Sequence, residues 1–374
     1  MRDLFSDIRV VDLSRVWAGP AATRYFADYG AEVIKVEHPA APDEARGFGP
    51  LRNGASGYFE TVNRGKKSVA LDLKDPAGKE CLYRLIATAD VLVENFCPGV
   101  AATLGVDYNS VRSVRPDIVY CSISGYGQNI PERAYDAVIQ GECGLASVNG
   151  ETGGMKNATS VTDAFAAANA AFAVASALFH RARTGEGQKI DVAMVGCAFN
   201  LMENLLAETS VTGADPAPCG RFDNAIFPFG FFRTRDGMVS LAAGNDVLWA
   251  RFCAEFLPSS AGDARFSTNE KRLAARDELV AMIESAFAAH GSADVLARLA
   301  AAGIPSGKIA SVTEVLREEK WFREGYLRHV DHSALGPCVV PGTGIRFSAS
   351  SEAGAPYVEA PRLDADGSRY RAEK

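Results

Sequence analysis

The first two hundred residues alternate between short β-rich runs and helical runs, and this alternation limits the fold more than any other feature of the chain. The strand-like runs are IRVVDLS (8–14), EVIKVEH, KSVALDL, ADVLVENF, DIVYCSIS and QKIDVAMV (188–195). Helical stretches lie between them, such as PAATRYFADYG (20–30), with Pro in its first turn and Gly at its end. Such alternation predicts an α/β fold whose sheet is mainly parallel and flanked by helices.

The pattern changes after residue 208, and this change predicts a second domain. A polar segment with Gly and Pro (209–222) is expected to be a linker. Beyond it, FGFFRTRDGMVSLAA predicts an antiparallel hairpin that turns at Asp236-Gly237. Three helical patterns follow, at 246–257, 270–289 and 292–302. We therefore expect a small α+β domain at 223–324 and a large domain formed by 1–208 and 325–374.

Composition excludes several classes of function. A formal charge of −7 argues against a nucleic-acid-binding protein, which needs a broad basic face. The eight cysteines are scattered without a C-x-x-C pair, which indicates a reducing compartment and neither a disulfide framework nor a zinc site. The N-terminus lacks the build of a signal peptide, and no run reaches eighteen apolar residues. A cytoplasmic protein without metal or membrane contact is expected.

Asp163 stands at the start of an unusual segment. It is followed by sixteen residues without a charge, 164–179, rich in Ala with Phe, Val and Leu spaced along it. This run predicts a largely buried helix. A carboxylate at its start has two interpretations: it caps the helix, or it reacts with a substrate.

Polar and basic residues follow several predicted strands, in SRVWAGP, DVLVENFCPGV and RAYDAVIQGECG. Loops at the carboxyl ends of parallel strands bind ligands in α/β folds, so these segments indicate a ligand cleft. SGYGQNI (124–130) approaches a dinucleotide-binding fingerprint, but it lacks the third glycine, and Pro131 stands where the helix should run. A nicotinamide-dependent oxidoreductase is therefore only a remote alternative. The basic run NRGKKS (63–68) lacks the glycines of a phosphate loop.

Taken together, these stretches resemble the class III coenzyme A transferases, the family of formyl-CoA transferase and carnitine CoA-transferase. The resemblance rests on the order and spacing of VVDLSRVWAGP, YGAEVIKVEHP, NRGKKSVALDLKDPAGK, DVLVENFCPGV, SISGYGQ, YDAVIQGECG, RTGEGQKIDVAM and AGIPSGKI. It implies a Rossmann-like large domain, a smaller α+β domain and a homodimer of two interlocked rings. It also implies a CoA-transferase that acts on an acyl-CoA donor and a carboxylic acid acceptor, with CoA as a substrate and no tightly bound cofactor.

The resemblance assigns Asp163 as the nucleophile, which forms an acyl anhydride and then an aspartyl-CoA thioester. The residues implied to line the CoA channel are Arg15, Leu71, Asn95, Phe96, Arg133 and Met194, with His38 and Arg46 near the nucleotide phosphates. Tyr58, Tyr135 and Asp136 are implied to lie close to the acyl group, and Trp17 belongs with these substrate-side residues. Leu71 and Met194 could instead be plain core residues, and Arg46 a solvated loop charge.

The sequence departs from the family pattern at three places. Trp17 replaces a smaller polar residue, Thr103 stands where an arginine contacts CoA, and a glycine cluster is reduced to Gly244. These departures favour substrates other than formyl-CoA and oxalate. The same family includes 2-methylacyl-CoA racemases, which use a histidine in place of Tyr135, so a racemase is the alternative. Tyrosine, with a pKa near 10, is a poor proton relay at neutral pH.

Overall fold

The structure is a computed structural model that describes residues 4–348 and 356–373. Its strands are β1 (Arg9–Asp12), β2 (Glu32–Glu37), β3 (Leu51–Arg52), β4 (Ala55–Ser56), β5 (Lys67–Ala70), β6 (Val91–Glu94), β7 (Val119–Ser124), β8 (Lys189–Ala193), β9 (Phe229–Arg233), β10 (Met238–Ala242), β11 (Ser306–Lys308), β12 (Leu327–His332) and β13 (Gly336–Pro341). Its α-helices are α1 (Ala18–Asp28), α2 (Gly57–Asn63), α3 (Pro76–Ala87), α4 (Val100–Leu104), α5 (Tyr108–Val114), α6 (Asp136–Glu142), α7 (Leu145–Val148), α8 (Val161–Thr184), α9 (Met194–Leu201), α10 (Glu203–Thr212), α11 (Asp246–Phe256), α12 (Asn269–Ala274), α13 (Arg276–Phe287), α14 (Ser292–Ala301), α15 (Val312–Val315), α16 (Glu319–Arg323) and α17 (Gly367–Ala372).

A six-stranded parallel sheet forms the centre of the fold. Its strand order is β5-β2-β1-β6-β7-β8, and every neighbouring pair is parallel. If these six strands are counted along the chain, the order is 3-2-1-4-5-6, which is that of a doubly wound α/β fold. The prediction of an α/β fold with a mainly parallel sheet is confirmed. The order reverses between β1 and β6, so ligand binding is expected beyond the carboxyl ends of these two strands.

Helix α3 illustrates how local sequence sets the layers around this sheet. Asp75 caps its N-terminus by accepting a hydrogen bond from the backbone N–H of Gly78, and Pro76 occupies the first helical position. The buried face of the helix carries Leu82, Leu85 and other apolar residues at helical spacing, which join the core beside the sheet. Burial of this face fixes the helix against the strands.

Helix α8 is only partly buried within one chain. Its buried side carries Ala166, Ala170 and Val174, whereas Phe172 and Phe179 on the opposite side are 74% and 65% exposed. The prediction of a largely buried helix is therefore wrong for the single chain, because a run without charges does not reveal whether one face or both are covered.

Among the described residues, α8 is long and apolar enough to span a membrane, and so is the bent pair α13–α14 if its two helices are counted as one span. The core helix of an α/β domain passes the same test. Helix α8 packs along α1, α9, β7 and β8, as such a core helix does. The absence of membrane contact stays a prediction.

The chain divides into two compact units whose limits differ from the ranges expected from sequence. One contains residues 4–143, 157–203 and the described part of 318–373. The other contains 144–156 and 204–317, so it includes a short excursion that precedes α8. The expected linker also begins inside a helix, because α10 runs to Thr212.

The second unit contains the hairpin of β9 and β10, with β11 beside β10 in an antiparallel sheet. The helix predicted at 270–289 is two helices, since α12 ends at Ala274 and α13 begins at Arg276. On α12, the guanidinium of Arg272 is fully buried and donates hydrogen bonds to the backbone oxygens of Phe227 and Gly244. These bonds hold the loop that contains Gly244.

Candidate active site at the carboxyl ends of the parallel strands

A cavity of about 350 Å³ lies at the carboxyl ends of β1, β6 and β7, beside the starts of α8 and α9. This is the edge of the sheet where the strand order reverses. Eight of the site residues predicted from sequence line it: Arg15, Trp17, Asn95, Phe96, Arg133, Tyr135, Asp163 and Met194. Segments that are far apart in the sequence therefore meet at one place.

Asp163 is the third residue of α8, in the first turn of a 24-residue helix, and it is half-buried. The N-terminus of a helix carries partial positive charge, which stabilises the ionised form of a carboxylate there. A half-buried carboxylate at the wall of a cavity is both charged and partly shielded from water. These properties suit a nucleophile.

Asp136 does not line this cavity, although the sequence predicted it near the acyl group. Its buried carboxylate accepts hydrogen bonds from the backbone N–H of Thr162 at 3.0 Å, the hydroxyl of Thr162 at 2.7 Å and the amide of Gln140 at 2.7 Å. Thr162 directly precedes Asp163. Asp136 therefore holds the start of α8, because its carboxylate accepts hydrogen bonds from N–H and O–H groups of the protein.

Tyr58 lies behind Trp17 and outside the cavity lining. The two rings meet edge to face with their centroids 5.0 Å apart. Burial and the negative charge of Asp163 raise the pKa of Tyr58 to about 12, which indicates that the two side chains are near each other. Tyr58 is therefore a protonated neighbour of the carboxylate at neutral pH.

Tyr135 lines the cavity but is 64% exposed. The negative charge of Glu44 raises its pKa further above the ordinary value for tyrosine, with a smaller contribution from burial. Its hydroxyl lies 3.4 Å from Glu44 Oε1. Tyr135 is therefore neutral at physiological pH and unsuited to proton relay.

A second cavity, of about 260 Å³, adjoins the first and shares Arg15, Phe96 and Val100 with it. Its other lining residues include the predicted Leu71 and His38, together with Lys74. Leu71 is buried in the core as well, so the core interpretation and the site interpretation both apply to it. The two cavities form neighbouring compartments on either side of Arg15 and Phe96.

Arg46 lies outside both of these cavities, although the sequence predicted it near the phosphates. Its guanidinium pairs with Glu37, with Nη2 2.6 Å from Oε2 and Nε 2.8 Å from Oε1, and it stacks over the ring of Phe59. Nη1 donates to the backbone oxygen of Pro361. The positive charge of Arg46 is therefore paired with a carboxylate of the protein. Arg46 is not a solvated loop residue either.

Lys74 and Ser124 are among the lining residues that sequence reasoning missed. Lys74 follows the strand-like run KSVALDL, and Ser124 is the last residue of β7. Their positions at strand ends were the signal that could have identified them. Ser124 Oγ and Trp17 Nε1 are both buried and, within residues 4–348 and 356–373, have no hydrogen-bond partner. Both residues line the cavity of Asp163, so unused donors are present in its wall.

The glycine-rich segment after β7 does not form a dinucleotide site. That fingerprint requires a helix to begin directly after the glycines, so that its N-terminus holds the pyrophosphate. After Gly125 and Gly127, the next helix in the chain is α6, which begins only at Asp136. In the part of the chain that the structure describes, no group of three or more His, Cys, Asp or Glu side chains could hold a metal ion.

Comparison with known proteins identifies the family of this chain. A family model described as CoA-transferase family III matches residues 5–367. The mouse succinyl-CoA:glutarate CoA-transferase is 36% identical over 348 residues, covering 91% of this chain and 80% of that protein. The succinate–glutarate CoA-transferase of Agrobacterium fabrum is 36% identical over 350 residues, covering 90% and 87%. A solved CaiB/BaiF family protein from Brucella suis superposes with a TM-score of 0.86 at 33% identity, with both chains fully covered. This chain therefore belongs to CoA-transferase family III.

Proposed function

We propose that this enzyme transfers coenzyme A from an acyl-CoA thioester to a free carboxylic acid, with Asp163 as the nucleophile. The observation that carries the proposal is the cavity in which Asp163, at a helix start, meets Arg15, Asn95 and the other motif residues. The cavity lining contains no histidine among the described residues. This favours transfer over the racemase, which needs a histidine at the position of Tyr135.

The proposed reaction has two pairs of steps. A carboxylate oxygen of Asp163 attacks the thioester carbonyl of the donor, the C–S bond breaks, and an aspartyl–acyl anhydride and CoA thiolate form. The thiolate then attacks the aspartyl carbonyl of the anhydride, which releases the donor acid and leaves an aspartyl-CoA thioester. The acceptor carboxylate repeats these steps in reverse order and regenerates Asp163. Because anhydrides and thioesters hydrolyse, partial burial of Asp163 supports the reaction by limiting access of water.

The two adjoining cavities support a binding position for CoA. Arg15 and Lys74 supply cationic groups that suit the phosphates, His38 lies in the same lining, and the largely apolar walls of the second cavity suit the adenine ring. Arg133 lines the cavity of Asp163, and within the described residues it has no ion-pair partner. We propose that CoA extends from the second cavity past Arg15 towards Asp163. Asn95, Phe96 and Met194 would then line its path, with Leu71 in the second cavity, and Arg46 is not part of the proposed site.

Dicarboxylic acids are the proposed substrate class. The mouse and Agrobacterium relatives carry succinate or succinyl-CoA and glutarate in their names. The unused donors Trp17 Nε1 and Ser124 Oγ support this class, because an acid with a second carboxylate brings further oxygen acceptors into the cavity. Within this class, formyl-CoA and oxalate are not the expected substrate pair.

We propose a homodimer, in the interlocked form expected from the family, located in the cytoplasm. The exposed stripe of α8, which carries Phe172 and Phe179, supports association, because large apolar side chains aligned on one helix face are typical of an interface. A second copy of the chain is the proposed cover for this stripe.

The nucleophile can be tested by mass spectrometry of the intact protein after incubation with acyl-CoAs and acids. We expect an acyl or CoA adduct on Asp163, and no adduct and no transfer in Asp163→Ala. Asp294 is a matched control, since it is likewise the third residue of its helix, α14, and lies in the second unit. Asp294→Ala should form the adduct normally. Transfer at a near-normal rate by Asp163→Ala would show that the proposed mechanism is wrong.

A further inference from the structure

Two buried ion pairs lie beneath the loop that follows β1. Lys66 Nζ is 2.8 Å from Asp12 Oδ2, and Lys35 Nζ is 2.9 Å from Asp43 Oδ2. All four side chains are buried. They come from three of the motif segments, VVDLS, EVIKVEHP and NRGKKS, and from the segment after the second of these. Lys66, the first of the two lysines in the basic run NRGKKS, is thus paired inside the protein.

The Lys35–Asp43 pair holds the backbone of the loop 14–17, which we call the β1 loop. Lys35 Nζ donates a hydrogen bond to the backbone oxygen of Ser14 at 2.8 Å. Asp43 Oδ1 accepts a hydrogen bond from the backbone N–H of Val16 at 3.1 Å. The two charges of one ion pair therefore bind two points of the β1 loop.

Asn95 holds the same loop from the next strand. Its side-chain oxygen accepts a hydrogen bond from the N–H of Arg15, and its side-chain nitrogen donates to the backbone oxygen of Arg15, both at 2.8 Å. Arg15 is thus fixed by both of its backbone polar groups. The contacts of Asn95 do not depend on the ion pair.

Val16, in the middle of the β1 loop, has a φ of +68°. A β-branched residue is a genuine outlier in this left-handed region, because its side chain crowds the backbone. Such a conformation persists only where the surroundings impose it, and here the ion pair binds Ser14 and the N–H of Val16 itself, while Asn95 binds Arg15. The strain lies beside Arg15 and Trp17, which both line the cavity of Asp163.

Burial of an ion pair does not by itself explain its presence, because loss of hydration offsets most of the attraction between the charges. We propose that Lys35 and Asp43 are positioning residues for the transfer reaction, which hold Val16 in its left-handed conformation so that Trp17 is aimed into the cavity of Asp163. This inference rests on the proposed function, since it assigns the cavity to catalysis.

The double variant Lys35→Met/Asp43→Leu tests the proposal, since it removes both charges and also the oxygen that accepts the N–H of Val16. Replacing both charges together is often neutral for folding, whereas removing one leaves an uncompensated buried charge. The double variant should unfold at a lower urea concentration than the wild type, because the backbone N–H groups of Val16 and Ala45 lose their acceptor, so kcat is measured per folded molecule. Its kcat should fall roughly 10- to 100-fold, the effect expected when an aligned group shifts by about 1 Å. The KM for acyl-CoA should change less than kcat, because Asn95 still holds Arg15.

Val16→Gly in this double variant should restore part of the lost kcat. Glycine adopts positive φ without a steric penalty, so there is no backbone strain to relieve at residue 16. The β1 loop can then keep its native conformation without the ion pair. The matched control is Arg64→Met/Asp28→Asn, which removes a largely buried ion pair of 3.0 Å that lines neither cavity. Arg24, 3.7 Å from Asp28, loses its carboxylate partner in this control, so the stability of the control is measured beside its kcat. Its kcat per folded molecule should stay within about twofold of the wild type, since no cavity residue moves.

Hydrogen exchange of the unmodified protein provides a readout that needs no variant. The N–H of Val16 should be protected like the amides of the central strands. The proposal is overturned if this amide exchanges as fast as an exposed loop, if the folded double variant keeps the wild-type kcat, or if glycine restores nothing. If the wild type transfers CoA without an adduct on Asp163, the assignment of Asp163 as nucleophile is wrong. The kcat of the double variant relative to the wild type would still test the role of the β1 loop.

Discussion

Asp136→Asn is the substitution that most directly tests how the start of α8 is held. The side chain of Ser160, at the N-cap of α8, makes no capping bond. The carboxylate of Asp136, on another helix, instead accepts hydrogen bonds from the N–H and the hydroxyl of Thr162 and from the amide of Gln140. The substitution preserves the shape of the side chain, removes its negative charge and replaces one acceptor oxygen by an NH₂ donor.

The expected cost follows from these bonds. In the variant, one side-chain oxygen can still accept both bonds from Thr162, but without the charge that strengthens them. The new NH₂ group faces the donor amide of Gln140. Rotation of that amide would remove the oxygen that accepts the N–H of Asn157 at 2.8 Å, so one buried group loses its partner in either case. A buried unsatisfied group costs about 1–3 kcal/mol, and weakened bonds add to it, so the free energy of unfolding should fall by about 2–4 kcal/mol.

Urea unfolding measures this loss, and the rate of adduct formation on Asp163 measures the effect on the site. We expect the rate to fall at least about tenfold, because the first turn of α8 carries the proposed nucleophile. Thr162→Ser is the control, since serine keeps both the N–H and the hydroxyl that Asp136 accepts. A loss of less than about 0.5 kcal/mol for Asp136→Asn, the range of ordinary surface substitutions, would refute the reasoning.

Three further predictions concern other parts of the chain. Burial opposes ionisation of Asp12, but the charges of Lys66 and a second buried lysine outweigh it and lower the pKa of Asp12 from 3.8 to about 2. The ionised carboxylate of Asp12 therefore stabilises the fold above about pH 4. The free energy of unfolding in urea should fall by about 2 kcal/mol as the pH falls from 4 towards 2, and this pH-dependent fall should be absent in Asp12→Asn. Trp17→Phe removes a buried N–H without a described partner, so the free energy of unfolding should stay equal or rise by up to about 1 kcal/mol. The kcat/KM for dicarboxylic acids should fall. Phe172→Glu should convert the proposed dimer to monomers in analytical ultracentrifugation, whereas glutamate at Val247, 64% exposed in the second unit, should not.

The strands of the large unit could be predicted because burial on both faces leaves a local signal. Runs such as DIVYCSIS are β-branched and apolar, and all six residues of β7 are buried. The order of the strands could not be predicted in the same way, since local sequence does not state which strands pair. Only the general rule for α/β folds indicated that the ends of β1 and β6 would meet.

Partners of charged side chains were the least predictable feature. Arg46 looked like a group that could bind phosphate, yet it pairs with Glu37 at the end of β2. Nothing in the local sequence distinguishes an arginine with a partner from one without. The same limit applies to the run of residues after Asp163, because an uncharged face can pack against its own chain or remain exposed, as Phe172 does.

The two interpretations of Asp163, that it caps its helix or that it reacts, concern two carboxylates at the start of α8. The N–H of Thr162 at the start of α8 is bound by Asp136, which is buried, lies outside the cavity and reaches the helix from α6. Asp163 lies one residue further on, at the wall of the cavity. A single carboxylate used for both tasks would have to leave its capping bond in order to attack a thioester, and the helix start would loosen during each turnover. With capping assigned to Asp136, the helix dipole can favour ionised Asp163 while its first turn stays fixed. In the proposed mechanism Asp136 provides stability and Asp163 provides reactivity, which is why Asp136→Asn is expected to disturb both and Thr162→Ser neither.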